Sequence, residues 1–303
     1  MLSTFIKSIP VLAIFIFSSY AKTVGIIQII EHPALDATRQ GLINTLQETN
    51  PDHKIIWRSA QGNMIIAVQL AQNLVGQNVD ILIALGTASA QAAVKACQGT
   101  NIPVVFASVT DPESAGLLGK AYGVSNFVVV DRQIKSIQQI LPNLKKLGII
   151  YNPGEANSDK LLQLTRAVCK KYNIYLDCAV ALKPADVVVA TQKLASNVDA
   201  IFINNDNTVL AAFPSVVRVA DRTKIPVFAS DADAIKSGAL AVLGPDQYKI
   251  GIQTAEMTTK ILAGDKNLST TQVVYPDSVD LYINQEKIKF FGLALDPSSR
   301  YGE

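Results

Sequence analysis

An α/β fold of two similar lobes, each a parallel sheet covered by helices, is what this sequence predicts. Three observations carry that expectation. Short β-branched apolar runs alternate with helix-patterned stretches along most of the chain. The order of these runs repeats once. The landmarks of the repeat fall at the same spacing in both halves.

The chain has 303 residues, which suits two domains of ordinary size. Its N-terminus reads as a secretory signal over residues 1–21. Lys7 supplies a positive start, Ile9 to Phe17 form a short apolar run, and Ser19-Tyr20-Ala21 presents small residues at −3 and −1 of a cut after Ala21. The run is short for a membrane span, so cleavage is favoured over a retained anchor. No cysteine follows the cut, so a lipid-anchored terminus is not expected and a freely diffusing periplasmic protein is.

Val24 to Ile30, Ile81 to Leu85 and Val104 to Phe106 are apolar on both faces, as strands of a helix-covered parallel sheet must be. Between them the pattern predicts helices over Ala34 to Thr49, Met64 to Val75 and Ala88 to Cys97. The same series then returns. Leu147-Gly148-Ile149-Ile150 echoes Val24-Gly25-Ile26-Ile27, Val198-Asp199-Ala200-Ile201 echoes Val79-Asp80-Ile81-Leu82, and Ile225-Pro226-Val227 echoes Ile102-Pro103-Val104. The distance from Gly25 to Pro103 equals that from Gly148 to Pro226. Two Rossmann-like lobes follow: residues 22–123 with about 247–274, and residues 124–246 with about 275–303. A helix from Gln247 to Leu262 and a strand-like tail have no counterpart in the repeat and are expected to cross between lobes, forming a multi-crossing hinge.

Apolar residues are 49% of the chain, ample for two cores. Net charge is +2 without a basic cluster, so nucleic acid is not an expected partner. Three cysteines leave at least one free thiol in a monomer, the expected state; Cys169 and Cys178 are either a pair or two buried thiols. Trp57, Tyr282 and Phe290-Phe291 read as packing.

Ligands of parallel α/β sheets bind outside the carboxyl ends of the strands. The residues there are rich in hydroxyls, amides and carboxylates, which are also the residues of helix caps and turns. In the first half they include Glu31, Thr87, Ala88, Ser89, Ser108, Val109, Thr110 and Asp111. In the second they include Tyr151, Asn152, Glu155, Asn157, Ser158, Asp206, Asn207 and Asp231. Together they suit a zwitterion. Helix starts at Thr87 to Ser89 and at Asn157-Ser158 offer backbone N–H groups to a carboxylate. Asp111, Asp206 and Asp231, with Glu31 behind them, offer partners for an ammonium. Tyr151 and Val109 are candidate walls for the ligand's side chain.

Glu31-His32-Pro33-Ala34-Leu35-Asp36, Phe106 to Pro112, Tyr151 to Ser158 and Asn205-Asp206-Asn207-Thr208 resemble motifs of the TrpX-like family of ABC transporter substrate-binding proteins, in the same order and over nearly the whole mature chain. The resemblance implies a type I periplasmic-binding-protein fold with the ligand between two lobes. It also implies a permease and an ATPase as partners, and an amino acid, most often aromatic, as ligand. No cofactor is implied.

The rival readings are weaker. The chain has no phosphate loop, no nucleophile elbow and no dinucleotide fingerprint. Two histidines make a His-based metal site improbable. A cofactor-independent racemase needs two cysteines facing across a cleft, and Cys97 and Cys169 fall within helices. The sensing half of a transcription regulator would need a DNA-binding helix-turn-helix instead of a signal. An extracytoplasmic sensor that serves a receptor would carry the same sequence features as a transporter component.

Overall fold

The computed structural model describes residues 21–265 and 273–295. The predicted signal segment, Ala21 apart, lies outside these residues, as does the end of the tail beyond residue 295. The first half builds β1 (Thr23–Gln28), α1 (Pro33–Thr49), β2 (Lys54–Ser59), α2 (Met64–Gly76), β3 (Ile81–Leu85), α3 (Thr87–Ala96), β4 (Val104–Ala107) and β5 (Tyr122–Val124). The second builds α4 (Val130–Ile140), β6 (Lys146–Tyr151), α5 (Ala156–Lys171), β7 (Tyr175–Val180), α6 (Val187–Ala195), β8 (Ala200–Ile203), α7 (Asn207–Ala211), α8 (Phe213–Thr223), β9 (Val227–Ala229) and β10 (Ala241–Gly244). The unrepeated remainder gives α9 (Gln247–Leu262), β11 (Val273–Val274), β12 (Asp280–Ile283) and α10 (Gln285–Phe291).

Two six-stranded sheets result, ordered β2-β1-β3-β4-β5-β11 and β7-β6-β8-β9-β10-β12. Every pairing is parallel except β10 with β12. The inner strands β1, β3, β4, β6, β8, β9 and β10 are buried on both faces, which is why their sequences run apolar without alternation, whereas the edge strands β2, β7, β11 and β12 are partly exposed. In the first lobe α1 packs on α9 and α2 on α3, as expected when right-handed crossovers put the two pairs on opposite faces of the sheet.

The sequence echoes are echoes of packing. Gly25 of β1 leaves room for Leu74 and Val79, and Gly148 of β6 leaves the same room for Val198 and Leu194; a Cβ at either glycine would lie 3.2 Å from the nearest of these side chains. Asp80 receives the Thr23 amide at 2.8 Å, and Asp199 receives those of Lys145 and Lys146 at 2.8 Å. Each aspartate thus ties the start of its lobe's central strand to the neighbouring strand. The Pro103 and Pro226 carbonyls accept from Leu82 and Ile201, each at 3.0 Å. A proline costs nothing there, because its missing N–H falls just before the strand begins.

Among the described residues the chain passes between the lobes three times: from β5 to α4, from β10 to α9, and from β11 to β12. Trp57 lies on the edge strand β2 with the Arg39 guanidinium 4.1 Å above its ring, away from the carboxyl ends of the central strands. Phe290 and Phe291 pack edge to face at 5.0 Å on α10. Among the described residues no helix is long and apolar enough to cross a membrane.

Candidate functional site

In both sheets the strand order reverses beside the central strand, between β1 and β3 and between β6 and β8. The crevice outside such a reversal is where open α/β sheets bind ligands. Here the two crevices face each other, and the lobes touch across them.

The contact is a polar chamber with little free space, about 10 Å³. His32, the N-cap of α1, accepts the Leu35 amide at Nδ1 (3.4 Å). Its proton therefore sits on Nε2 and is donated across the cleft to Asn207 Oδ1 at 3.2 Å. Asn207 Nδ2 in turn donates to Glu155 Oε2 at 2.7 Å. Burial pushes the His32 imidazole below its ordinary range, although the Asn207 bond and the carboxylates of Glu155, Asp36 and Asp233 pull the other way. A second link runs from Ser108, in the left-handed region at φ 55°, whose hydroxyl donates to Gln247 Oε1 at 2.8 Å. Gln247 Nε2, at the start of α9, donates to Asp231 Oδ1 in the other lobe.

The four candidate carboxylates differ in what they already hold. Asp206 caps α7 by accepting from Val209 N at 2.9 Å and also accepts from Asn152 N at 2.6 Å and Ser158 Oγ at 2.5 Å. It is a brace for three chain segments, and burial and then the nearby Glu155 charge push its carboxyl up. Asp111 is bound to Ser114 through its amide and hydroxyl, at 2.9 and 2.7 Å, and faces Lys160 of the other lobe at 3.7 Å. Desolvation raises it, but the Ser114 and Lys160 contacts together hold it below the usual carboxylate range. Glu31 is exposed and accepts from Ser59 Oγ at 2.6 Å. Asp231 is 2% exposed, and among the described residues its carboxylate accepts only the Gln247 bond. Burial pushes it up to about 7. It is the one carboxylate on the chamber whose charge the protein leaves mostly uncompensated.

The helix starts differ in the same way. His32, Asn63, Asp206 and Asp246 cap α1, α2, α7 and α9 with their side chains. The two facing helices α3 and α5 have no side-chain cap. The N-cap of α3 is Gly86 at φ 88°, and Ser89 Oγ behind it is buried without a partner. The N-cap of α5 is Glu155, whose carboxylate is turned onto α7 instead, taking the amides of Asn207 at 3.0 Å and Thr208 at 2.9 Å. Asn157 Nδ2 donates to the Asn205 carbonyl at 2.6 Å. The start of α3 thus has amides with no side-chain acceptor, an anion-receptive end of a dipole.

Two larger cavities flank the chamber. The mouth cavity, about 310 Å³, lies outside both strand-order reversals and is walled by Ile29, Ile30, Met64 and Ala88 from one lobe and Leu182 from the other. The hinge-side cavity, about 350 Å³, is bounded by Leu118, Phe127, Leu164 and Tyr275, with Asp111 and Lys160 at its polar end.

Of the residues proposed from sequence, Ser108, Thr110, Asn157, Asn207 and Asp231 come together on the chamber, and Ala88, Asn152 and Glu155 on the mouth cavity. Thr110 also touches the hinge-side cavity with Asp111. Val109 is fully buried in the first lobe's core and presents no wall to a ligand. Tyr151 ends β6 without lining any of the three cavities, while Thr87, Ser89, Ser158 and Asp206 are buried behind them. Sequence reasoning missed Thr38, Asn126 and Gln247. Asn126 and Gln247 line the chamber, and Thr38 backs it, 3.0 Å from Ser108 Oγ and 3.1 Å from Gln247 Oε1. Gln247 was findable, since it follows the carboxyl end of β10 by the same rule used for the other strands. Thr38 sits mid-helix and carried no such signal.

Cys97, Cys169 and Cys178 are free thiols. Burial pushes Cys97 and Cys169 up to about 11, which leaves them as packing rather than nucleophiles. Among the described residues no three His, Cys, Asp or Glu side chains gather as metal ligands would.

Comparison with known proteins agrees with this geometry. The tyrosine-binding protein of Clostridioides difficile strain R20291 is 31% identical, over 90% of this chain and 81% of its own. The structure of an ABC domain in complex with L-Trp from Streptococcus pneumonia superposes with a TM-score of 0.86 at 26% identity, covering 92% of this chain and 97% of that one. The ligand-free, open structure of a substrate binding protein with adhesive properties from Clostridium difficile gives 0.67 at 30% identity, covering 93% and 98%. The hydrogen bonds from His32 to Asn207 and from Gln247 to Asp231 join the two lobes across the cleft, so the arrangement here is a closed one. A match to the family described as ABC transporter substrate binding protein extends over residues 23–297, and the chain belongs to that family of binding proteins.

Proposed function

We propose that this protein captures an aromatic amino acid in the cleft between its lobes and delivers it to a membrane permease driven by an ATPase. The observation that carries the ligand assignment is Asp231, a buried carboxylate with a single hydrogen bond, on the same cleft as the uncapped start of α3. A buried charge without compensation is costly. A ligand ammonium supplies what Asp231 lacks, and a ligand carboxylate supplies what the amides at Ala88 and Ser89 lack. Asp206 and Asp111 are less suited, because their oxygens already serve Val209, Asn152, Ser158 and Ser114. The relatives that bind tyrosine and that were solved with L-Trp support the aromatic class.

The signal-like N-terminus supports action in the periplasm after cleavage following Ala21. Closure by a hinge follows from three crossings and from cross-lobe bonds that only a closed cleft can form. The test is mass spectrometry of small molecules released by denaturing the natively purified, secreted protein. An aromatic amino acid is expected. A sugar or other ligand without an α-amino acid group would refute the assignment.

A further inference from the structure

We infer that the ligand's ring lies in the mouth cavity and that this site accepts phenylalanine, tyrosine and tryptophan with similar affinity, without reading a phenol hydroxyl. The inference rests on the amino-acid reading above and adds the position and selectivity of the side chain.

The chamber, at about 10 Å³, has no room for a ring, whereas each flanking cavity exceeds 300 Å³. Position decides between the two. Ala88, at the uncapped start of α3, is itself a wall of the mouth cavity, so a carboxylate held there brings the side chain to that cavity. The hinge-side cavity touches no residue of α3 and carries the charges of Asp111, Glu113 and Lys160, poor company for a neutral ring.

Selectivity follows from what the polar groups of the mouth cavity already do. Thr208 Oγ1 donates to Glu155 Oε1 at 2.7 Å and accepts from Asn152 Nδ2 at 2.8 Å. Asn152 Oδ1 accepts the Gly154 amide at 2.8 Å. The Asn207 amide is spent on His32 and Glu155, and both oxygens of Glu155 are occupied. Among the side chains of this cavity a phenol hydroxyl finds no waiting partner, and its absence leaves none of them unpaired. Strong rejection of a ligand lacking a hydroxyl requires such an orphaned group; an apolar pocket discriminates by only ~100-fold or less. The contact surface is instead Ile29, Ile30, Met64 and Leu182, of which Met64 and Leu182 remain exposed at the rim. Methionine adapts to rings of different size.

The experiment is calorimetric titration of ligand-stripped protein with tyrosine, phenylalanine, tryptophan and leucine, using the wild type, Met64→Ala, Leu182→Ala and the hinge-side control Tyr275→Ala. Met64, Leu182 and Tyr275 are all exposed at the surface, so the three variants are expected to fold, which unfolding curves verify. The three aromatics should bind within about tenfold of one another and more tightly than leucine. Both mouth variants should weaken all three by roughly three- to tenfold, as lost apolar contact predicts, and Tyr275→Ala should change nothing. A preference for tyrosine over phenylalanine above ~100-fold would overturn the selectivity inference. Weakening by Tyr275→Ala but not by the mouth variants would move the ring to the hinge side and overturn its placement. Failure of all four amino acids to bind natively folded protein would remove the amino-acid reading itself, and this inference with it.

Discussion

Asp231→Asn should move two observables in opposite directions. In the closed cleft Asp231 is pushed up to about 7 from an ordinary 3.8. That rise corresponds to about 4 kcal/mol against the closed, empty form above pH 7. The sign is that of a carboxyl raised by burial. The closed form binds its proton more readily than the open or unfolded chain does, so the penalty is complete above about pH 7 and fades as pH falls toward 4. Asparagine keeps an oxygen for the Gln247 bond and removes the charge, so the empty protein should become more stable at pH 7.5. Ligand binding should become weaker, because the ammonium loses its partner. Truncating one side of a buried charge pair costs ~2 kcal/mol or more, so affinity should fall by roughly 30-fold or beyond. Thermal unfolding of ligand-stripped protein and calorimetry with tyrosine at pH 7.5 read the two effects. A variant that unfolds earlier and binds as well as the wild type would refute the argument, leaving Asp231 as a structural acceptor for Gln247.

Two further outcomes follow from the same network. Glu155→Ala should destabilise the second lobe by about 3 kcal/mol in urea unfolding, because the amides of Asn207 and Thr208 lose their acceptor at the start of α7. Ligand affinity should weaken as pH falls below about 6.5, the ordinary histidine value, because the closed cleft holds His32 neutral and adding a proton at Nδ1 also removes the cap on α1. Calorimetric titrations between pH 5 and 7.5 should show the loss in the wild type and a flatter profile in His32→Gln.

The architecture was legible because its determinants are local and repeated. Gly25 and Gly148 announce the same crowding by the helix that follows the next strand, and Asp80 and Asp199 the same tie between strand starts. Such features keep their sequence spacing, so the eye can align them. The lobe crossings were less legible. β11 has only two residues and β12 runs antiparallel, so neither carries the apolar signature of a covered parallel strand.

The site was legible as a region and illegible as a set of roles, for one physical reason. Capping a helix start and holding a ligand call for the same side chains, so the sequence of Asp206 looks no different from that of Asp231. The structure separates them by counting partners. Among the described residues, Asp206 accepts from Val209, Asn152 and Ser158, and Asp231 from Gln247 alone. Glu155 sits where a cap of α5 belongs but caps α7, which leaves the start of α5 open. Gly86 cannot cap α3 at all. The groups left over after the protein has satisfied itself are those a ligand must satisfy, and they are spread over both lobes: amides on α3, a carboxylate beside β9. The α3 amides and the Asp231 carboxylate lie on different lobes. An open protein therefore offers each half of a zwitterion only a weak site, and the closed arrangement becomes favourable when one ligand completes both halves at once.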